Sequence, residues 1–250
     1  MKKLTAREPA RGHRRPRHRT FASLVAEGSE IFATLVPPDA YTPAIELFAQ
    51  GSAAQEVYCI GRGLVKLVSI DPAGRQFIVG LRSPGWILGA ASVIVQRPHL
   101  LTATTITSCH LHRISAEAFL DLAKGNAQFS WYLQQILGRE VYDQVTGLVR
   151  LGSSSARQRL EQLLLQFISS METSKSEKGI SLELPLRHWE IAQLIAVTPE
   201  HLSRLLRRIE QEGVIQREPR RIVITDLQKF RLLSDFQELG INLGKEQEQT

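Results

Sequence analysis

The chain has 250 residues, of which 43% are hydrophobic, 6% aromatic and 22% charged, values that fit a globular protein of two modest domains. It has only two cysteines, Cys59 and Cys109, so a disulfide framework is excluded. No uncharged apolar run reaches the ~18 residues of a membrane helix, and no apolar core follows the basic N-terminus as in a secretory signal. We therefore expect no membrane association and a cytoplasmic location.

The positive charge of the chain is concentrated at its N-terminus. Residues 1–20 hold eight lysines and arginines against one glutamate, a net charge of +7, whereas the whole chain carries +6. Residues 21–250 therefore sum to −1. A basic tail of this kind cannot bury apolar surface and is predicted to be disordered. Its side chains either attract phosphates non-specifically or form a solvated leader.

Residues 40–115 are predicted to form short antiparallel strands. Runs of β-branched residues, separated by glycines and turn residues, occupy residues 57–60, 64–70, 76–81, 101–107 and 109–114. In the segment Asp71–Gly74, proline is second and glycine fourth, which predicts a β-turn that joins two of these strands. Several short strands so closely spaced are typical of an antiparallel barrel or roll.

The hydrophobic period changes from strand to helix at Ser115, a predicted N-cap. After a short helix, a long helix is predicted from about Ala127 to Leu151. An apolar stripe recurs on it every three or four residues and comprises Leu133, Leu137, Val141, Val145 and Leu148. Such a stripe on a helix that joins two domains favours pairing with a second copy, and packing within the chain is the alternative. We therefore predict a homodimer.

A helical break is predicted at Gly152–Ser155, where serine can cap a further helix over Arg157–Met171. One face of this further helix is apolar and carries Leu160, Leu163, Leu164, Phe167 and Ile168. The polar segment 173–179 is predicted to be a linker or a loop tip.

Residues 186–225 predict a winged helix-turn-helix. A short helix at 186–195 is followed by a tight connection at 196–198, and Thr198 can cap a second helix over 200–210. Pro199 then occupies the first helical position, where a missing N–H costs nothing. A two-stranded wing is predicted at 214–216 and 222–224, with residues 217–221 as its tip. This arrangement presents its second helix to the major groove of DNA.

The second helix has an apolar and a polar face. Its apolar positions are Leu202, Leu205, Leu206 and Ile209, and its outward positions are Glu200, Ser203, Arg204, Arg207 and Arg208. Arginine can donate two hydrogen bonds to guanine, and glutamate can accept one from the cytosine amino group. Glu200 and Arg204 also have the i,i+4 spacing of a surface ion pair. Within a winged helix-turn-helix, base contact is the favoured interpretation.

The roll, the long helix and the winged helix-turn-helix together resemble the Crp/Fnr family of bacterial transcription regulators, over about residues 40–235. The resemblance covers the turn at 83–89, the hinge at 155–160 and the recognition helix from Thr198. Glutamate, two intervening residues and then serine-arginine is the Fnr-type arrangement, which implies a palindrome containing TTGA. The implied fold is α+β and has five parts: a tail at 1–20, an effector-type β-roll of cyclic-nucleotide-binding type at 21–126, a dimerisation helix at 127–152, a winged helix-turn-helix domain at 153–236 and a tail at 237–250.

The resemblance also implies roles for individual residues. Glu200, Ser203 and Arg204 would contact bases. Double-stranded DNA and RNA polymerase are the implied partners. Phosphate contacts would come from Thr198, His201, Arg207, Arg220 and Arg221. An effector pocket would involve Gly89, Ala90, Ala91, Ser92, His99, Leu100 and Leu101.

Two departures from the family pattern bear on cofactors. Members that bind cyclic AMP carry a glutamate where this chain has Ala90, and an arginine-serine pair near His99-Leu100. They also carry a threonine-serine pair near Tyr142-Asp143. A cyclic phosphate needs a cationic partner, so the sequence argues against cyclic AMP. Oxygen-sensing members hold an iron–sulfur cluster on N-terminal cysteines, which this chain lacks, so ligand count argues against that cofactor too. No cofactor is predicted.

Histidines in the strand region suggest a different class of function. His110 and His112 lie on one face of a predicted strand, with His99 nearby in sequence, so a haem or divalent-metal sensor is an alternative to surface histidines. A cupin-like metalloenzyme would need a further glutamate and a histidine in a later strand. Glu117 falls in a helix and no later strand supplies a histidine, so the protein is not predicted to be an enzyme.

Three other side chains have two interpretations each. Cys59 and Cys109 are interpreted as buried, inert thiols, with a redox pair as the alternative. Trp86 either stacks on a ligand or packs in the core.

Overall fold

The computed structural model describes residues 31–32, 34–171, 173–176, 179–226 and 230. The predicted tails at 1–20 and 237–250 lie outside the described residues. The architecture is α+β, as predicted: an antiparallel roll, a long helix, and a second group of helices with a small sheet. Within the described ranges, no helix is both long and apolar enough to cross a membrane.

The roll consists of two four-stranded antiparallel sheets, with strand orders β1-β8-β3-β6 and β2-β7-β4-β5. Its strands are β1 (Asp39–Tyr41), β2 (Glu46–Phe48), β3 (Glu56–Arg62), β4 (Val65–Ile70), β5 (Gln76–Arg82), β6 (Ile87–Leu88), β7 (Thr102–Thr105) and β8 (Cys109–Ser115). The predicted turn joins β4 to β5, with the Gly74 N–H donating to the Asp71 carbonyl at 2.9 Å.

Among the described residues, the helices beside the roll include α1 (Ala90–Val95), α2 (Ala116–Gly125) and α3 (Ala127–Ser153). Side chains alternate across β3, so Tyr58 and Ile60 pack inside the roll while Val57 and Cys59 pack against the helices. Ser115 caps α2, as predicted, by accepting a hydrogen bond from the Ala118 N–H. The sequence did not predict α1, because its β-branched run resembles a strand.

The long helix α3 ends at Ser153, so Gly152 is helical and the break lies at 154–155. Its predicted apolar stripe does not form one continuous exposed surface. Leu133 is buried among Phe119 and Phe129, and Leu137 packs at the edge of the same cluster. The remaining members are exposed: Val141 by 64%, Val145 by 55% and Leu148 by 71%. Within the stripe, only Leu133 and Leu137 therefore pack against their own chain, which was the alternative to pairing with a second copy.

The C-terminal part comprises α4 (Ala156–Ser170), β9 (Ser174–Ser176), β10 (Gly179–Glu183), α5 (His188–Leu194), α6 (Pro199–Gln211), β11 (Ile215–Glu218) and β12 (Arg221–Ile224). Ser155 caps α4 through a capping box with Gln158. The polar segment 173–179, predicted to be a linker or loop tip, supplies β9 and the first residue of β10, so the prediction was wrong for these strand residues, and positions 177–178 lie outside the described residues. The wing belongs to a four-stranded sheet of order β11-β12-β10-β9, and its tip shortens to two residues, 219–220.

One hydrophobic core holds this C-terminal part together. Leu160, Leu164 and Phe167 of α4 pack in one buried cluster with residues of α5, α6 and β12. Leu64 and Leu81 belong to the same cluster although they come from the roll. The two halves of the chain therefore share buried apolar surface.

Candidate DNA interface

The helix α6 begins as the sequence predicts. Thr198 is its N-cap, and the Thr198 hydroxyl oxygen accepts a hydrogen bond from the His201 N–H at 3.2 Å. Pro199 follows at the first helical position. Ala196 adopts a left-handed backbone with φ of 52°, which makes the connection from α5 tight. Local capping and turn geometry thus place α6 directly after α5.

The two faces of α6 are divided as predicted. Leu202, Leu205, Leu206 and Ile209 are all buried in the C-terminal core. Every outward residue is exposed: Glu200, Ser203, Arg204, Arg207 and Arg208. The described part of the chain therefore leaves this polar face uncovered and available to a groove of DNA.

Local hydrogen bonds set the protonation state of Glu200 and the orientation of the Ser203 hydroxyl in the free protein. The pKa of Glu200 is lowered by its own backbone N–H, by the Thr198 hydroxyl and by the charge of Arg204. Glu200 is therefore a carboxylate at neutral pH and can only accept hydrogen bonds. The Ser203 hydroxyl donates to the Pro199 carbonyl at 3.1 Å, so its oxygen remains available as an acceptor.

The wing is joined to α6 by an ion pair that no sequence pattern predicted. Arg217 donates to the Glu210 carboxylate from its backbone N at 3.0 Å and from Nε at 2.8 Å. This connection joins β11 to the last turn of α6. It leaves Arg220, with φ of 60°, exposed at the tip, and Arg221 exposed at the start of β12. Both wing arginines predicted to contact phosphate are thus on the surface, in a wing whose position relative to α6 is fixed by the bonds between Arg217 and Glu210.

A second ionic cluster fixes the C-terminal end of α6 to α4. Arg157 donates to both oxygens of Glu212, at 2.7 and 2.6 Å, and to Glu161 at 2.9 Å. Glu161 is fully buried, and burial raises the pKa of its carboxyl group. No sequence pattern predicted this cluster, because Arg157 lies in α4 whereas Glu212 directly follows α6, far along the chain.

The residues predicted for an effector pocket are only partly together. Gly89 has φ of 83°, and a Cβ there would lie 2.9 Å from the Glu56 carbonyl oxygen and 3.2 Å from His99 Cε1. Gly89 and His99 are therefore in contact, with Ala90 and Ser92 following at the start of α1 and Leu101 partly buried. Two other predicted members, Ala91 and Leu100, are exposed, Leu100 by 78%.

The environment of His99 opposes a positive charge. The imidazole is buried and stacks on Phe48, with ring centroids 3.8 Å apart. Burial lowers the pKa of His99, so the ring is neutral at pH 7. The ring therefore carries no positive charge that could pair with an anion.

Of the two histidines predicted on one strand face, only His110 matches the interpretation as a surface residue. His110 is exposed, but His112 is buried and its Nδ1 hydrogen-bonds the Val36 carbonyl at 2.8 Å. The prediction that both are surface histidines was therefore wrong for His112. Across the residues with described positions, no group of three His, Cys, Asp or Glu side chains could hold a metal ion.

The cysteines and Trp86 are core residues. Cys59 and Cys109 are buried and unbonded to each other, and burial raises the pKa of the Cys59 thiol to about 12. Trp86 is also buried, and the Arg82 guanidinium lies 4.7 Å from its ring centroid. These positions confirm the interpretation of buried thiols and of a tryptophan that packs in the core.

Comparisons with known proteins match both halves of this structure. Residues 39–126 match the cyclic nucleotide-binding domain, and residues 158–233 match the Crp-like helix-turn-helix domain. The chain is 24% identical over 204 residues to "Cyclic AMP receptor protein" of Thermus thermophilus, covering 77% of this chain and 91% of that protein. It is 23% identical over 209 residues to "Nitrogen fixation regulation protein FixK" of Azorhizobium caulinodans, covering 83% of each. The chain belongs to the Crp/Fnr family.

A solved structure supports the same Crp/Fnr fold. FixK2 from Bradyrhizobium japonicum superimposes with a TM-score of 0.67 at 21% identity, covering 80% of this chain and 98% of that one. The resemblance predicted from the turn, hinge and recognition-helix motifs is confirmed. This Crp/Fnr protein is a transcription regulator, and α6 lies within its DNA-binding helix-turn-helix domain.

Proposed function

We propose that the protein is a homodimeric regulator that binds a palindrome containing TTGA through its two α6 helices. The observation that carries the proposal is the joint exposure of Glu200 and Arg204 on a helix whose opposite face is buried. Arg204 donates to guanine O6 and N7, and the Glu200 carboxylate accepts from the cytosine amino group. Ser203 assists with its free acceptor lone pairs. The fork of arginine and the lowered pKa of Glu200 suit these roles.

Phosphate contacts hold α6 in register without reading the sequence. Thr198 and His201 lie at the N-terminus of α6, where backbone N–H groups and the helix dipole attract anions. The remaining contacts come from arginines that are all exposed: Arg207, Arg220 and Arg221.

Dimerisation places two α6 helices on one face of the DNA. A two-fold symmetric protein reads two half-sites about one helical turn, ~34 Å, apart. The exposed residues Val141, Val145 and Leu148 supply an apolar surface on α3 that a second copy would cover. The partners of this dimer are double-stranded DNA and RNA polymerase, and its compartment is the cytoplasm.

The effector of this regulator is not cyclic AMP, and we propose no resident cofactor. Ala90 provides no hydrogen bond where cyclic-AMP-binding members carry a glutamate, and His99 is neutral and stacked. Calorimetric titration with cyclic AMP should give no binding heat. Absorption and mass spectra of the purified protein should show neither haem nor metal, and a Soret band would revive the sensor alternative. In the present structure the bond between His112 and Val36 gives that alternative no support.

The proposal is tested by fluorescence anisotropy on a labelled TTGA palindrome and on a scrambled duplex of equal composition. A specific regulator should bind the palindrome ~10³-fold or more tightly than the scrambled duplex at physiological salt. Light scattering should give the mass of two chains in the complex. Equal affinities, or a single chain bound to the whole palindrome, would contradict the proposal.

A further inference from the structure

An ion pair between a half-buried lysine and a buried glutamate joins the roll to the first helix of the helix-turn-helix. Lys66 on β4 donates from Nζ to Glu190 Oε1 on α5 at 2.6 Å. Their side chains are only 21% and 6% exposed, so water screens the pair little. The other carboxylate oxygen of Glu190 accepts from the Arg187 N–H at 2.8 Å. Glu190 therefore both caps its own helix and holds the roll.

A glutamine side chain completes the connection by pairing with a strand edge. β5 is the outer strand of its sheet, and its register with β4 skips Val79. Its backbone groups on the outer edge therefore need a partner from outside the sheet. Gln193 of α5 supplies both groups, accepting from the Ile78 N–H at 3.0 Å and donating to the Gln76 carbonyl at 3.0 Å. The amide takes the place of a neighbouring strand.

The same hairpin is also anchored to the long helix. Arg82, at the end of β5, donates from Nη2 to Glu140 on α3 at 3.0 Å. Arg82 is buried and its guanidinium stacks on Trp86. The β4–β5 hairpin thus holds α3 through Arg82, and it holds α5 through three other residues, Lys66, Gln76 and Ile78. Since α5 packs on α6, the hairpin links the candidate dimer helix to the recognition helix.

We propose that Lys66, Glu190 and Gln193 form an interdomain latch, and that this latch selects the distance between half-sites at which the regulator binds. The inference rests on the proposed function, because it requires two subunits on one palindrome. The latch lies on α5 and leaves the outward face of α6 exposed, so a latched molecule can still contact DNA. Its residues are positioning residues: they touch no DNA and fix the orientation of α6 relative to α3.

Loss of the latch should lower the fraction of molecules in the binding geometry. If unlatched molecules spend about one tenth of their time in that geometry, the apparent Kd at the preferred spacing rises about tenfold. Other spacings become accessible at the same time. An unlatched regulator should therefore bind its best palindrome more weakly and discriminate less between spacings.

The test measures Kd by anisotropy on TTGA palindromes whose half-sites are moved apart or together by one to three base pairs. Gln193→Ala removes the glutamine contacts, and Lys66→Met with Glu190→Gln removes the ion pair without leaving a buried charge. Both variants should show an approximately tenfold weaker optimum and a flatter spacing profile, with unchanged affinity for a single half-site. Lys66→Arg keeps the positive charge opposite Glu190, so its dependence of Kd on spacing should lie between those of the wild type and of the variant without the ion pair. An unchanged profile, or a tighter optimum, overturns the proposal.

Arg75→Ala is the matched control. Arg75 lies exposed on the same hairpin and pairs with Asp71 at 2.7 Å, so its loss leaves the latch intact. A flatter profile in this variant would show that any damage to the hairpin has the same effect, which refutes a specific latch.

A measurement without DNA separates the latch from the proposed function. In the wild-type protein the Ile78 N–H is held by Gln193, so Gln193→Ala should accelerate hydrogen exchange in the peptide that contains Ile78. Arg75→Ala should leave that exchange rate unchanged. Unaltered exchange in Gln193→Ala would show that the latch does not form in solution. If wild-type protein shows the protection but does not select TTGA, the proposed function fails while the contact itself stands.

Discussion

The substitution Arg204→Ala tests whether α6 reads a base. Arg204 is exposed and the buried face of α6 belongs to other residues, so truncation should change folding stability by less than ~0.5 kcal/mol. A bidentate contact from arginine to guanine is worth ~1–3 kcal/mol of discrimination. At ~1.4 kcal/mol for each tenfold change, each half-site should lose roughly 5- to 150-fold in affinity. A dimer contains two such contacts, so the loss on a palindrome should exceed that on a single half-site.

Anisotropy titrations on three duplexes isolate the base-reading component. These are the palindrome, a version with the guanine of TTGA replaced, and a scrambled duplex. Wild-type protein should lose affinity when the guanine is replaced, whereas Arg204→Ala should be indifferent to that replacement. Arg204→Lys is the control, because it keeps the charge but loses the bidentate fork. It should bind scrambled DNA like the wild type and still fail to prefer the guanine.

One result would refute the reasoning. If Arg204→Ala lost the same factor on the palindrome and on scrambled DNA, the guanidinium would contact phosphate and not guanine.

Three further predictions concern other parts of the chain. Val145→Asp with Leu148→Asp places charges on an exposed apolar surface, so light scattering should show folded monomers; dimers would exclude this surface as the interface. Deletion of residues 1–20 removes a net charge of +7 and should flatten the dependence of log K on log salt, with site preference retained; loss of that preference would give the tail a role in reading sequence. Burial raises the pKa of Glu161, so this carboxyl group keeps its proton to a higher pH in the folded protein than in the unfolded chain. The folded protein therefore loses stability as pH rises from the ordinary pKa of glutamate through the raised one. Urea unfolding should therefore show that Glu161→Gln gains stability relative to wild type as pH rises through that window. If the variant instead lost stability relative to wild type over the same window, pairing of Glu161 with Arg157 would outweigh burial.

Signals spanning a few residues were sufficient for the recognition helix. The Thr198 cap, the proline after it and the spacing of Leu202 and Ile209 are all read within one or two helical turns. They predicted the start of α6 and which of its faces is buried, and the structure agrees. The turn between β4 and β5 was predicted for the same reason, because proline and glycine restrict the backbone locally.

Periodicity was less informative about what covers an apolar face. The stripe on α3 has one period throughout, yet Leu133 packs under the roll while Leu148 is exposed. His112 was predicted to be on the surface because the helical residues before Val36, which precede β1 and cover His112, left no periodic signal. The polar residues of β9 likewise showed no alternation, since their pairing is with the backbone of β10.

By itself, the sequence determined the two helices of the helix-turn-helix, the caps of α2, α4 and α6, and the chemical character of the face offered to DNA, since these depend on interactions between near neighbours. The orientation of that face was decided by tertiary structure alone. Lys66 and Glu190 are 124 positions apart, and Gln193 reaches the backbone of a strand 115 positions away. A contact between one lysine and one glutamate at such separation has no repeating pattern, because it exists only once the chain has brought two elements together.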